Sequence, residues 1–262
     1  MTDEQTGWTR FAQSAVAIVG AGVAGAMSGL LGDPVAGAVA GESFAQIGNE
    51  LARRALSPRQ EERVGAVLVM AAGGVMANQA LGMELRTDGF FDGERSDADE
   101  VVEGVLIAAK DEHQERKLPY YANLLARMPF LQGMDVYVLN ELIGAAESMS
   151  WLDMQLLSIV GRPEELGLPD ADYVGTAENW NDWAVTEAFT TMLNGSRLII
   201  FPREKSAEGP RIPRFDLRMS SIQRGRLGLL LYDFMELDKI PVMELKPIYD
   251  ALVRGASADA HR

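Results

Sequence analysis

Residues 20–25 have the glycine spacing of a dinucleotide-binding loop. The hexapeptide Gly-Ala-Gly-Val-Ala-Gly follows the apolar run 15–19, as G-x-G-x-x-G follows the first strand of a nucleotide-binding unit. There, the glycines permit a tight turn against the pyrophosphate, and an acidic residue about 20 positions later binds the ribose. Glu42 lies near that position. This pattern would make the chain a flavin- or nicotinamide-dependent oxidoreductase.

The same segment also has the pattern of a closely packed helix. Ala17, Ala21, Gly25 and Gly29 recur every four residues and would share one helix face, within a stretch from position 11 to position 32 that has no charge. The chain shows no regular alternation of strands and helices, which a doubly wound sheet requires. We therefore expect these four residues to form an assembly or membrane face. The alternative is a tightly packed helical hairpin, residues 11–41, inside a soluble core.

A second candidate site is a basic segment near the carboxyl end of the chain. Between positions 197 and 226 there are eight basic and three acidic residues, although the whole chain has a formal net charge of −14. The basic residues are Arg197, Arg203, Lys205, Arg211, Arg214, Arg218, Arg224 and Arg226. They predict a site for nucleic-acid phosphates, a nucleotide signal or an anionic lipid headgroup. The alternative is a contact with the acidic remainder of the same or another subunit.

Few other residues have the types and spacing needed for catalysis. The chain has no cysteine and two histidines, and His113 lies at a charged helix end with no second histidine three or four positions away. Glu112 and Arg116 are spaced for an ion pair along a helix. No carboxylate is set in an apolar sequence context that would shift its pKa for acid–base work. We expect no catalytic residue, metal site or cofactor.

The elements that would position these residues are mainly helices. Ser57-Pro58 with Gln60, and Ser96 with Asp99, are start signals for two helices. Strands are predicted at 197–201 and 212–219, followed by a helix that begins at position 220 or 221. The predicted fold is mainly α, with a glycine-rich apolar segment (1–56), a helical body (57–134) and a winged-helix-like domain with one β-hairpin (135–262).

The run from position 56 to position 130, with SPRQEERVGAVL, DGFFDGERS and KDEHQERKLPYYANLLA, resembles a group of bacterial helical proteins. The segment RGRLGLLLYDFMELDKIP is similar to the closing helix of winged-helix-like domains. This layout resembles membrane-acting effectors of bacterial anti-phage defence. Together with the small-residue face, this layout leads us to expect a non-enzymatic membrane-associated effector that forms a homo-oligomer, located in the cytoplasm and attached to the inner membrane. The rival class is a soluble scaffold or regulator that binds protein or nucleic acid.

Overall fold

The computed structural model describes residues 56–92, 96–175, 178–195, 197–200 and 218–256. The predicted assembly face, Ala17, Ala21, Gly25 and Gly29, lies outside these ranges, as does the whole glycine-rich segment from 11 to 41. The chain divides into two compact units, with the boundary between Ser148 and Met149.

The first unit contains four described helices. These are α1 (Pro58–Ala80), α2 (Asp97–Asp111), α3 (Leu118–Arg127) and α4 (Val136–Ser148). The predicted domain boundary at 134/135 places α4 in the carboxyl-terminal domain. In the structure α4 packs against α2 and lies within the first unit.

Two of these helices begin at the predicted caps. The Ser57 N–H donates to Oε1 of Gln60 at 3.0 Å, before Pro58 opens α1. At the start of α2, the Asp99 N–H donates to Oγ of Ser96 at 3.2 Å, and the Ser96 N–H donates to the Asp99 carboxylate at 2.9 Å. These reciprocal bonds satisfy N–H groups that a helix start otherwise leaves without partners.

The core of the first unit is the contact between α1 and α3. A Cβ built on Gly74 of α1 would lie 2.6 Å from Cβ of Ala126 on α3, so the two backbones approach closely here. The side chain of Asn78 donates to the carbonyl oxygen of Ala126 at 3.2 Å, and Val75 and Phe130 extend the apolar contact. This packing fixes which face of α1 is buried.

The second unit contains four described helices and one two-stranded sheet. The elements are α5 (Trp151–Val160), α6 (Trp180–Gly195), β1 (Ile199–Ile200), β2 (Gln223–Arg224), α7 (Arg226–Phe234) and α8 (Val242–Gly255). Just after α5, the Arg162 guanidinium donates to the carbonyl oxygens of Leu237 and Ile240 at 2.8 and 2.7 Å, in the turn between α7 and α8. The prediction of a mainly α protein with one antiparallel strand pair is confirmed.

The helix predicted from position 220 or 221 starts later than predicted, and most of the predicted strand 212–219 lies outside the described residues. Within the described residues the partner of β1 is Gln223–Arg224, at positions where the sequence pattern predicts a helix. Gly225 is the reason, because its extended backbone ends the strand and caps α7, which begins at Arg226. No helix among the described residues combines the length and apolar character needed to cross a bilayer.

Candidate anion-binding hairpin

The base of the β-hairpin brings three of the predicted basic residues together along the backbone. β1 and β2 are antiparallel, with Ile199 opposite Arg224 and Ile200 opposite Gln223. The Gly225 N–H donates to the carbonyl oxygen of Leu198 at 2.7 Å, which continues this register by one pair. Arg197 directly precedes Leu198 and Arg226 directly follows Gly225, so the two arginines flank this end of the strand pair.

Two glycines make this close approach possible. A Cβ at Gly225 would lie 2.1 Å from the carbonyl oxygen of Arg197, and a Cβ at Gly228 would lie 1.9 Å from that of Leu198. No side chain fits at such distances, so the first turn of α7 rests directly on the backbone that leaves α6. The turn into β1 uses a left-handed residue, Arg197, with φ 55°. The relative positions of Arg197 and Arg226 are therefore fixed by backbone contacts.

Arg197 and Arg226 are the two exposed cations of this hairpin base. Arg226 is the first residue of α7, whose first turn contains no acidic residue. A helix N-terminus already has a partial positive charge, so an arginine there adds to it rather than balancing it. Within the described ranges, neither arginine forms an ion pair. The local potential at the hairpin base is therefore positive.

Arg224 is held more tightly than its two neighbours. Its guanidinium lies over the ring of Tyr232, 4.3 Å from the centroid, and its Nη1 lies 3.7 Å from the Asp233 carboxylate. Burial raises the pKa of Tyr232, so this ring stays neutral beneath the cation. Arg224 therefore has a defined position but part of its charge is balanced within the unit.

Among the other predicted cations, Arg218 is described and does not join this group. Arg218 pairs with Asp170 at 3.2 Å, and Ser220 donates to the same carboxylate at 2.9 Å. Arg203, Lys205, Arg211 and Arg214 lie outside the described residues. Of the predicted basic residues that the structure describes, Arg197, Arg224 and Arg226 lie at the hairpin base.

Helix α6, which precedes the hairpin, exposes aromatic rather than basic side chains. Trp180 is 84% exposed, and its ring meets that of Trp183 edge to face at 6.0 Å between centroids. Asp182 is buried, and its Oδ1 lies 2.6 Å from Nη2 of Arg254. Hydrogen bonding from Arg254 holds the pKa of Asp182 below its ordinary value. Of the acidic residues in α6, Glu187 remains exposed.

Sequence reasoning missed a buried charged cluster in the first unit. Lys117 and Glu112 form an ion pair with both side chains almost fully buried, and the Tyr121 hydroxyl lies 3.3 Å from the same carboxylate. Burial alone would raise the pKa of Glu112, but the hydrogen bonds from Lys117 and from the Gln114 N–H outweigh it and lower that pKa. The partner of Glu112 is Lys117 rather than the predicted Arg116, because α2 ends at Asp111 and a 3₁₀ turn follows.

The described residues offer few other candidates for catalysis or metal binding. His113 is strongly exposed, 3.6 Å from the Glu112 carboxylate, as expected for a solvated helix end. Within the described ranges, no three His, Cys, Asp or Glu side chains are grouped closely enough to hold a metal ion. Comparisons of the chain with protein-family models, curated proteins and solved structures gave no match.

Proposed function

We propose that the second unit binds a phosphate-bearing partner at the base of its β-hairpin, in a non-enzymatic effector that assembles or attaches to a membrane through residues 11–41. The carrying observation is the close backbone contact of Gly225 with residues 197 and 198, which brings Arg197, Arg224 and Arg226 to the same end of the strand pair. Phosphate oxygens are bound strongly by arginine, which presents several donors in a fixed plane. The proposed ligand carries a charge opposite to that of the basic segment.

The order of elements supports a winged-helix-like use of this hairpin. In such modules a helix is followed by an antiparallel hairpin whose basic wing contacts phosphates. Here α6 is followed by β1 and β2, and the chain segment between these two strands contains five more basic residues. Major-groove readout by α6 is not part of the proposal, because α6 contains no lysine or arginine.

Reversing the charge of Arg197 and Arg226 tests whether the hairpin base binds phosphate-bearing partners. Arg197→Glu with Arg226→Glu should abolish binding of the full chain to a labelled oligonucleotide, to vesicles with anionic headgroups, or to both, measured by fluorescence anisotropy and flotation. The matched control is Lys239→Glu with Lys246→Glu, which makes the same change in net charge at exposed positions of the same unit. The milder pair Arg197→Gln with Arg226→Gln should lower the slope of log affinity against log salt by about two.

The outcomes separate the sources of phosphate. Binding to the oligonucleotide alone identifies a nucleic-acid partner, and binding to vesicles alone identifies a lipid headgroup. Equal loss in the hairpin pair and the lysine pair would mean that only net charge matters. Unchanged binding in the hairpin pair would overturn the proposal.

Membrane attachment and assembly are tested separately. Cell fractionation should place the full chain with membranes, and Gly25→Leu with Gly29→Leu should change the oligomer size, since leucine prevents close helix approach. Recovery of the chain entirely in the soluble fraction would overturn the membrane part while leaving anion binding intact.

A specific observation favours a second candidate, a soluble scaffold that binds another protein. The Trp180–Trp183 pair exposes a large aromatic surface, and tryptophan is enriched where proteins bind one another. Trp180→Ala with Trp183→Ala should then remove a protein partner from affinity capture without affecting the phosphate-bearing probes. Retention of every partner by this variant would exclude the scaffold function at α6.

A further inference from the structure

Helix α6 exposes two tryptophan rings on one face, close to its start. Trp180 and Trp183 are three positions apart, so they share a face of the helix, and their exposed fractions are 84% and 52%. The rings meet edge to face, with 6.0 Å between centroids and an interplanar angle of 83°. Contiguous apolar surface of this kind, left in solvent, is typical of a binding site.

The backbone that carries these rings is held in place on its buried side. The Asn179 side chain accepts hydrogen bonds from the N–H groups of Asn181 and Asp182 at 2.9 and 3.0 Å, which satisfies two donors at the start of α6. The Asp182 carboxylate is bound in turn by Arg254 of α8. A ligand therefore meets two rings on a fixed helix and does not have to order that backbone on binding.

The exposed charges of α6 are negative. Residues 178–195 contain three acidic and no basic side chains. Glu187 is exposed and lies four positions after Trp183, so its carboxylate and the indole are neighbours on the same helix face. Glu178 is exposed just before α6, and within the described residues neither glutamate forms an ion pair.

The Arg254 guanidinium lies beside the start of α6 and is already paired. Its hydrogen bond to Asp182 raises the pKa of Arg254, and the charges of Glu178 and Asp250 act in the same direction. The Asp182 side chain that balances this cation is 2% exposed. Because the pair is close to neutral, the charges of Glu178 and Glu187 remain available to a cationic ligand.

We propose that the exposed face formed by Trp180, Trp183 and Glu187 binds an arginine-bearing segment of a partner protein. A guanidinium over an indole is attracted by the ring quadrupole, and tryptophan binds cations more strongly than the other aromatic side chains do. The planar guanidinium can stack on a ring while it donates to a carboxylate such as that of Glu187. This inference rests on the second candidate function, because it names the chemistry of the protein that α6 would bind.

Charge distinguishes this partner from the other ligands that tryptophan binds. Nucleic-acid bases also stack on indole rings, but their phosphates would be repelled by Glu178 and Glu187. The same repulsion acts on a bilayer with anionic headgroups, although tryptophan otherwise fits a membrane interface. A basic protein segment complements both the rings and the carboxylates. The ligand of this face therefore has the opposite charge to the ligand proposed for the hairpin base.

Binding of a defined peptide to the purified full chain tests the proposal. A labelled peptide of alternating arginine and serine should bind, as measured by fluorescence anisotropy. The same peptide with uncharged citrulline in place of arginine should bind about tenfold more weakly. Trp180→Leu with Trp183→Leu keeps two apolar side chains and the net charge but removes both rings. This variant should weaken binding of the arginine peptide about tenfold, because each exposed cation–π contact changes affinity about two- to fivefold.

Glu187→Gln should weaken binding of the arginine peptide about threefold, and Glu164→Gln is its matched control. Glu164 is exposed in the same unit and forms no ion pair among the described residues. It follows Arg162, which bonds to the turn before α8, whereas Asp182 bonds to Arg254 at the other end of α8. The two glutamates are therefore near opposite ends of a helix about 21 Å long. Equal weakening by both substitutions would mean that only net charge matters, and would overturn the proposal.

Other results would overturn it as well. Equal affinity for the arginine and citrulline peptides would show a purely apolar contact. Unchanged peptide binding in the leucine variant, at an unchanged thermal midpoint, would show that the rings take no part. Loss of oligonucleotide binding, vesicle binding or a dimer in the leucine variant alone would assign the face to nucleic acid, membrane or a second copy.

The failure of this inference and the failure of the scaffold function are distinguishable. If Trp180→Ala with Trp183→Ala loses a captured protein while the purified chain does not bind the arginine peptide, the scaffold function stands and this inference fails. If that variant keeps every captured partner, both fail.

Discussion

Replacing Gly228 by alanine tests whether α7 rests on the backbone of β1. The added Cβ would lie 1.9 Å from the Leu198 carbonyl oxygen and 2.8 Å from its carbonyl carbon. Real Cβ contacts are not shorter than 3.0 Å, so α7 or the chain at position 198 must move by about 1 Å or more. The obstructing atoms belong to the main chain and have no rotamer by which to move aside.

The expected loss of stability follows from two opposing terms. Overpacking of a tight contact costs about 1–3 kcal/mol, and the cost should lie at the upper end because backbone is displaced. Alanine in place of glycine inside a helix recovers about 1 kcal/mol. We therefore expect Gly228→Ala to lower the free energy of unfolding by about 1–2 kcal/mol.

The matched control is Gly195→Ala at the end of α6. This position lies in the same unit, and a Cβ there meets no atom within 4 Å. Urea denaturation followed by far-ultraviolet circular dichroism should give an unchanged or slightly higher midpoint for Gly195→Ala and a lower midpoint for Gly228→Ala. Equal midpoints for the two variants would refute the close contact between α7 and the chain at Leu198, and with it the fixed placement of the hairpin arginines.

Three further predictions concern charged groups. Lys117→Met should lower the free energy of unfolding by about 3–5 kcal/mol in urea denaturation, because it leaves the buried Glu112 carboxylate without its cation; adding Glu112→Gln should recover part of the loss. The Arg86 guanidinium holds the pKa of Asp88 at about 2, below its usual 3.8. The ionised carboxylate therefore stabilises the fold above pH 4, and this stabilisation is lost as the pH falls towards 2. Asp88→Asn should reduce the dependence of the free energy of unfolding on pH in this acid range. Arg226→Gln should raise the thermal midpoint of the protein without ligand, since it relieves repulsion at the helix start, and should reduce the rise that a bound phosphate-bearing probe produces.

Local signals predicted the helices of the first unit well. Ser57 with Gln60 and Ser96 with Asp99 are recognisable because a cap requires specific side chains at a fixed separation, which needs no knowledge of the tertiary fold. The helical class and the presence of one antiparallel strand pair were likewise predictable from periodicity.

The candidate site was predicted less completely, because its geometry depends on contacts between distant residues. The sequence shows Gly225 and Gly228 simply as glycines, although their closeness to residues 197 and 198 is what aligns the hairpin base. Asp182 looks like a surface charge, because nothing local indicates that Arg254 is its partner. A count of charges along a sequence therefore says little about which of them face solvent.

The pairing of charges within the second unit explains why the hairpin base is the part most suited to an anion. Arg218 and Arg224 are balanced by Asp170 and Asp233, so each has a favourable interaction without any ligand. Arg197 and Arg226 flank the hydrogen bond between Leu198 and Gly225, and neither forms an ion pair within the described ranges. A ligand of opposite charge would supply the balancing charge that these two arginines lack. We therefore expect an anion to bind most strongly at Arg197 and Arg226, whose charges are not balanced by acidic side chains among the described residues.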